Sequence, residues 1–148
     1  MNIGARFAVL LSVALSAAAC SAPVVTQDIV APGGVQADRA LEGVWDVRRA
    51  DGTLEAMVHF TRDTVDATAG ESRFVGYYEL VPHDATLWRL TLHFDTAESE
   101  GVNVQLPSGY TEGMVVLLTS AGVMYAMEDA GAWTRWERMD MVAEQGAP

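Results

Sequence analysis

The chain has 148 residues, with nine arginines, no lysine and twenty acidic residues, for a net charge of −11. That balance excludes the clustered positive charge that binding to nucleic acid or to an anionic lipid surface requires. It would suit a basic partner, because complementary fields speed encounter, while genome composition or a saline habitat is the plainer source of an acidic, lysine-free chain. The only cysteine, Cys20, leaves no disulfide to form within the chain.

Residues 1–19 have the three-part layout of a secretory signal. Arg6 and the amino terminus supply the positive charge, and residues 7–19 carry none, with Ser12 and Ser16 the only polar interruptions. This apolar run falls short of the roughly 20 residues that cross a bilayer core, so it predicts a cleaved signal rather than a permanent span. It ends in Ala17-Ala18-Ala19-Cys20, which resembles a bacterial lipobox, with Ala17 where leucine is usual. The resemblance implies cleavage before Cys20, a diacylglyceryl group on its sulfur and an acyl chain (palmitate or similar) on its new amino terminus. No other cofactor is expected. Lipidation also accounts for a lone thiol that would otherwise be a liability in an oxidising compartment. Ser21 follows where, in enteric-type sorting, an aspartate would mean retention at the inner membrane. The resemblance therefore implies the outer membrane, with the protein facing the periplasm. With Arg6 removed, eight arginines against twenty acids leave −12.

Cys20 and the stretch up to residue 38 read as a tether, because Pro23, Pro32, Gly33 and Gly34 break every periodicity. The flexible residues after the cysteine have an r.m.s. reach of about 25 Å. A single domain is expected over residues 39–142, followed by a frayed tail over 143–148.

Within the domain the apolar period is two, interrupted by turn residues every eight to twelve positions, as in all-β sandwiches and barrels. Trp45 and Val47 alternate with Asp46 and Arg48, and Asp51-Gly52 makes the first hairpin turn. Leu54, Ala56, Val58 and Phe60 share one face of the returning strand. A weak strand over 64–68 and a stronger one over 73–81 follow, the latter with Phe74, Gly76, Tyr78 and Leu80 on one face. Residues 87–94 alternate most clearly, with Trp88, Leu90, Leu92 and Phe94 on one side. The acidic stretch 95–101 is expected as an exposed loop, and 102–106 as a short edge strand ended by Pro107. Residues 114–119 are apolar on both faces, which predicts a central strand. Strands over 123–127 and 133–139 complete the count. No segment has helical periodicity. The expected fold is all-β, an antiparallel up-and-down sheet of about eight strands, closed or nearly closed into a small barrel.

At Gly43-Val44-Trp45 the first strand resembles the G-x-W opening of the lipocalin and wider calycin families. The resemblance implies that Trp45 closes the barrel base and that an arginine near the chain's end, Arg135 or Arg138, packs across it through a cation–π contact. It also implies a small apolar ligand inside the barrel, with Trp45, Tyr78, Trp88, Leu90 and Trp133 as candidate wall or core residues. A second stretch, Ser120-Ala121-Gly122-Val123-Met124-Tyr125 with the later Trp136-Glu137-Arg138, resembles the membrane-bound inhibitors of c-type lysozyme. It implies an acidic barrel that plugs a basic enzyme's cleft. Here Ala121 splits the Ser-Gly pair, and the family's lysine and disulfide cysteines are missing. As a plain sequence, residues 120–122 form a hairpin turn.

Catalytic chemistry has no foothold. There is no G-x-S-x-G elbow and no free thiol for a nucleophile, nor a glycine-rich phosphate loop before a helix. His59, His83 and His93 lack ligand spacing, although His59 and His93 would share a polar face if their strands were neighbours. Met124, Met127, Met139 and Met141 crowd the last two strands, where soft thioethers could suit copper and where core filling is the plainer role. No metal is expected. The sequence therefore predicts a lipid-anchored, non-enzymatic β-barrel that serves as an interaction or structural module of the cell envelope, through an envelope protein partner, a basic protein being one candidate. An apolar-ligand binder and an enzyme inhibitor are the alternatives. About eight strands leave an interior that side chains alone can fill, which favours the first.

Overall fold

The computed structural model describes residues 29–34, 39–49, 51–128, 131 and 133–139. Cys20, Met141, the signal and most of the expected tether and tail lie outside them. The alternating segments form nine strands among the described residues: β1 (Gly43–Arg48), β2 (Leu54–Phe60), β3 (Thr64–Ala69), β4 (Ser72–Pro82), β5 (Trp88–Ser99), β6 (Val102–Val104), β7 (Thr111–Leu118), β8 (Val123–Met127) and β9 (Trp133–Arg138). The sheet order is β4-β3-β2-β1-β9-β8-β7-β5-β6, and a further β4–β5 pairing closes it. Eight antiparallel strands thus make a closed up-and-down barrel, with β6 as an extra strand on the end of β5.

Two bulges shift the register of the strands, one of them in the closing β4–β5 pair. Val75 pairs with Thr96 but Gly76 pairs with Phe94, so Asp95 is an extra residue in β5. A β-carbon at Gly76 would collide with the His93 carbonyl, so only glycine permits the approach. Beyond the bulge β5 runs on to Ser99, through most of the stretch expected as a loop. Phe94 and Ala97 are both buried although three residues apart, so a strict period of two loses the strand there. The second bulge lies in β2, where Val47 faces Ala56 and Arg48 faces Leu54. Glu55 is the surplus residue. It is buried together with Ala56, whereas Leu54 and Met57 are exposed, so two successive side chains turn inward.

Both ends of the barrel are covered. At the end where β1 begins, Leu41 is 2% exposed, and Val30 packs into the core although it falls in the stretch expected to be tether. β7 extends past the start of β5, and residues 29–30 occupy the vacated edge. Ile29 bridges Thr119, and the Val30 amide donates to the Leu118 carbonyl at 2.9 Å. The folded unit therefore begins by Ile29, ten residues before the expected boundary. At the far end Val104, Leu106 and Tyr110 close over the core. Ile29 and Met139, the first and last described residues, lie at the same end of the barrel, here called the entry end.

Candidate functional site

The interior and the entry end hold most of the side chains that sequence reasoning singled out. Trp45 is fully buried, and its indole N–H donates to the Leu41 carbonyl at 2.8 Å. The register sets Arg138 opposite it across β1 and β9, with the guanidinium carbon 5.9 Å from the ring centre. That is within cation–π range. Of the two arginines expected to pack across Trp45, Arg138 does so. Arg135 faces outward and is ion-paired to Glu137 at 2.9 Å. Trp88 is buried and donates its indole N–H to the Val30 carbonyl at 2.7 Å, which ties the incoming chain to the barrel. Leu90 is fully buried. Tyr78 is half-buried, edge-on to Phe60 with ring centres 5.0 Å apart, and its hydroxyl donates to the Thr61 carbonyl at 2.8 Å. Burial pushes its phenol pKa up.

Trp133 is placed differently from the expected wall residues. It pairs with Met127 on the outer surface and is half-buried there. The core position belongs to Trp136, which is 1% exposed, donates to the Thr134 hydroxyl at 3.0 Å and stacks on Phe60 at 6.5 Å. The signal was available. If Arg138 reaches Trp45, a period of two sends Trp136 and Thr134 inward and Trp133 outward.

A ligand cavity would leave the side chains that line it with surface a water molecule could touch. Trp45, Val65, Leu90, Leu118, Met124 and Ala126, drawn from five strands around the barrel, have none. A pocket of the usual ligand size, about 300 Å³ or more, therefore does not border these six side chains.

The titratable groups do not converge. Among the described residues no group of three or more His, Cys, Asp or Glu side chains could hold a metal ion. His59 and His93 sit on β2 and β5 with two strands between them, and His93 hydrogen-bonds Glu79 at 3.1 Å and stacks on Tyr77 at 4.4 Å. Met124 points into the core, while Met127, three residues on, faces out and Met139 is exposed, so the described thioethers are dispersed. Ser120 to Gly122 form the turn between β7 and β8, with the Gly122 amide donating to the Thr119 carbonyl at 3.3 Å.

Sequence reasoning missed one group, Glu55. Its side chain is 2% exposed, Arg49 stands 3.6 Å from one carboxylate oxygen, and neither oxygen accepts a hydrogen bond. Burial outweighs the arginine and raises its pKa above the ordinary 4.5. Only the bulge, which has no local sequence signature, turns this acid inward. At the far end Tyr110 donates to Glu112 at 2.9 Å, and burial beside that carboxylate pushes the phenol's pKa up.

No protein-family model, curated protein or solved structure matches the chain.

Proposed function

We propose that the protein is a lipid-anchored, non-enzymatic module of the bacterial cell envelope, held at the outer membrane and facing the periplasm, that works through its outer surface. The observation that carries this reading is the packed interior. Fully buried side chains from five strands leave a calycin-type ligand little to touch, which supports recognition by the walls and the far end. The position of the described chain ends agrees with an anchor. Both lie at the entry end, so a tether from Cys20 leaves the walls and the far end free. The Trp45–Arg138 contact supports kinship with calycin barrels in how the base is closed, without the hollow that a small apolar ligand needs. The inhibitor reading loses support from the position of residues 120–122, since a tether at the entry end holds that turn on the membrane side.

Anchoring is tested in intact cells with a fatty-acid probe. The wild-type chain takes up the label and fractionates with the outer membrane. Cys20→Ser loses the label and accumulates with its signal uncleaved. A Cys20→Ser chain that is processed and released normally contradicts the anchor.

A further inference from the structure

The outer surface of β7, β8 and β9 departs from what a water-facing barrel wall requires. An antiparallel strand with one face on the core ordinarily turns polar residues to water on the other. Here the outward positions read Thr111, Gly113, Val115 and Leu117 on β7, Val123, Tyr125 and Met127 on β8, and Trp133, Arg135 and Glu137 on β9, so the apolar stretch begins at Val115. Val115 is only 7% exposed although it lies outside the core cluster. Leu117, Tyr125, Met127 and Trp133 are half-buried. The sole outward carboxylate on these three strands, Glu137, is neutralised by Arg135 at 2.9 Å. In an acidic chain this is where a second copy can approach without meeting like charge.

The edge of this surface carries a cation in need of a partner. Arg89 on β5 pairs across the sheet with Val115 and is half-buried. Its guanidinium lies against Gly113, 3.0 Å from where a β-carbon would stand. Among the described residues no carboxylate comes within salt-bridge distance of it. One outward row thus runs Arg89, Val115, Met127, Trp133 across four neighbouring strands, and the next holds Leu117 beside Tyr125. Aromatic residues, methionine and arginine with few acids is the composition of an interface core.

We infer that this wall is an isologous interface and that its occupant is a second copy of this chain. A two-fold axis along the strands, between β7 and β8, maps each row onto itself. Val115 of one copy then meets Met127 of the other, Leu117 meets Tyr125, and Arg89 lies over the partner's Trp133. Barrel walls are convex, so two of them touch along β7–β8 and diverge towards β5 and β9. Only long side chains bridge that widening gap, and those are what stand there. Arg89 gains an aromatic face at each end of the contact. The inference does not depend on acylation of Cys20.

Sedimentation equilibrium of the full chain, in detergent matched to the solvent density, tests it. The wild-type protein is a dimer with a dissociation constant on the order of micromolar. Leu117→Asp and Tyr125→Asp leave it monomeric at about 100 μM, and Arg89→Ala weakens association by about tenfold or more. Met57→Asp, an exposed site on the opposite wall, leaves it dimeric. Circular dichroism shows which variants fold, and Arg89→Ala, which removes no core packing, decides the matter if the aspartate variants do not. A wild-type monomer up to about 100 μM overturns the inference. So does a dimer that Arg89→Ala leaves unchanged, or one that Met57→Asp dissolves as readily as Leu117→Asp.

Discussion

The two outer walls of this barrel differ in how their side chains pair, although both carry apolar groups, with Tyr77 and Val81 exposed on β4. On the wall of β3, β4 and the adjoining part of β5, polar side chains satisfy one another: Arg73 donates to both oxygens of Asp66, and His93 binds Glu79 while stacking on Tyr77. On the wall of β7, β8 and β9, the outward residues are aliphatic, aromatic and thioether groups packed side by side, and Val115 is nearly as buried as the core. Their inner faces show no such divide, since Phe74 behind one wall and Trp136 behind the other are each 1% exposed. Stability is set on the inner face, where both walls obey the same packing demand. The outer faces are free to differ, and on the reading proposed above it is there that a partner would be recognised.

The sharpest way to break this comparison is to cut the inner face behind each wall. Phe74→Ala and Trp136→Ala each lose about 3–5 kcal/mol, measured by chemical denaturation. A near-neutral result for either one means that the walls differ inside as well as out. Cutting the outer faces separates them. Val115→Lys puts a second cation beside Arg89 among packed apolar groups and costs about 1–3 kcal/mol, whereas Met57→Asp on the exposed side of β2 stays within about 0.5 kcal/mol. Equal costs contradict the division.

A smaller effect distinguishes two acids by pH. Glu55, turned inward, keeps its proton to higher pH when folded than when unfolded. Across that window the native state binds more protons, so stability falls as pH rises and returns as pH falls from 7 towards 4.5. Asp66 is the reverse. Arg73 lowers its pKa below the ordinary 3.8, so its contribution persists through that range and is lost only in stronger acid. Thermal melts of wild type and Glu55→Gln therefore converge or cross as pH drops from neutral, with the variant ahead at pH 7 by about 1 kcal/mol. Parallel curves mean that Glu55 is solvated.

Much of the barrel was legible because alternation is local. The strands from Trp45 to Val47, from Leu54 to Phe60 and from Trp88 to Phe94 each show their buried face in a few residues, and the G-x-W opening with a late arginine anticipated the Trp45–Arg138 contact. What escaped depends on contacts distant in sequence or on a change of phase. Asp95 flips the parity of β5, so its second half read as a loop. Glu55 read as a solvent-facing residue until its bulge turned it in. Val30 enters the core because β5 starts too late to cover β7, which no local pattern records. Trp133 and Trp136 are equally apolar, and only the register to Arg138 assigns one to each face. The apolar outer side of β7 was visible as a strand hydrophobic on both faces. It read as a central strand, but in a closed barrel every strand has two neighbours, and the second apolar face needs another explanation.

The central claim is that the barrel is filled and acts through its surface. Native mass spectrometry of the protein purified from the envelope, with detergent stripped in the gas phase, tests it most directly. The account predicts the mass of the chain and its covalent modifications alone, or twice that mass. One apolar small molecule retained per chain would contradict it.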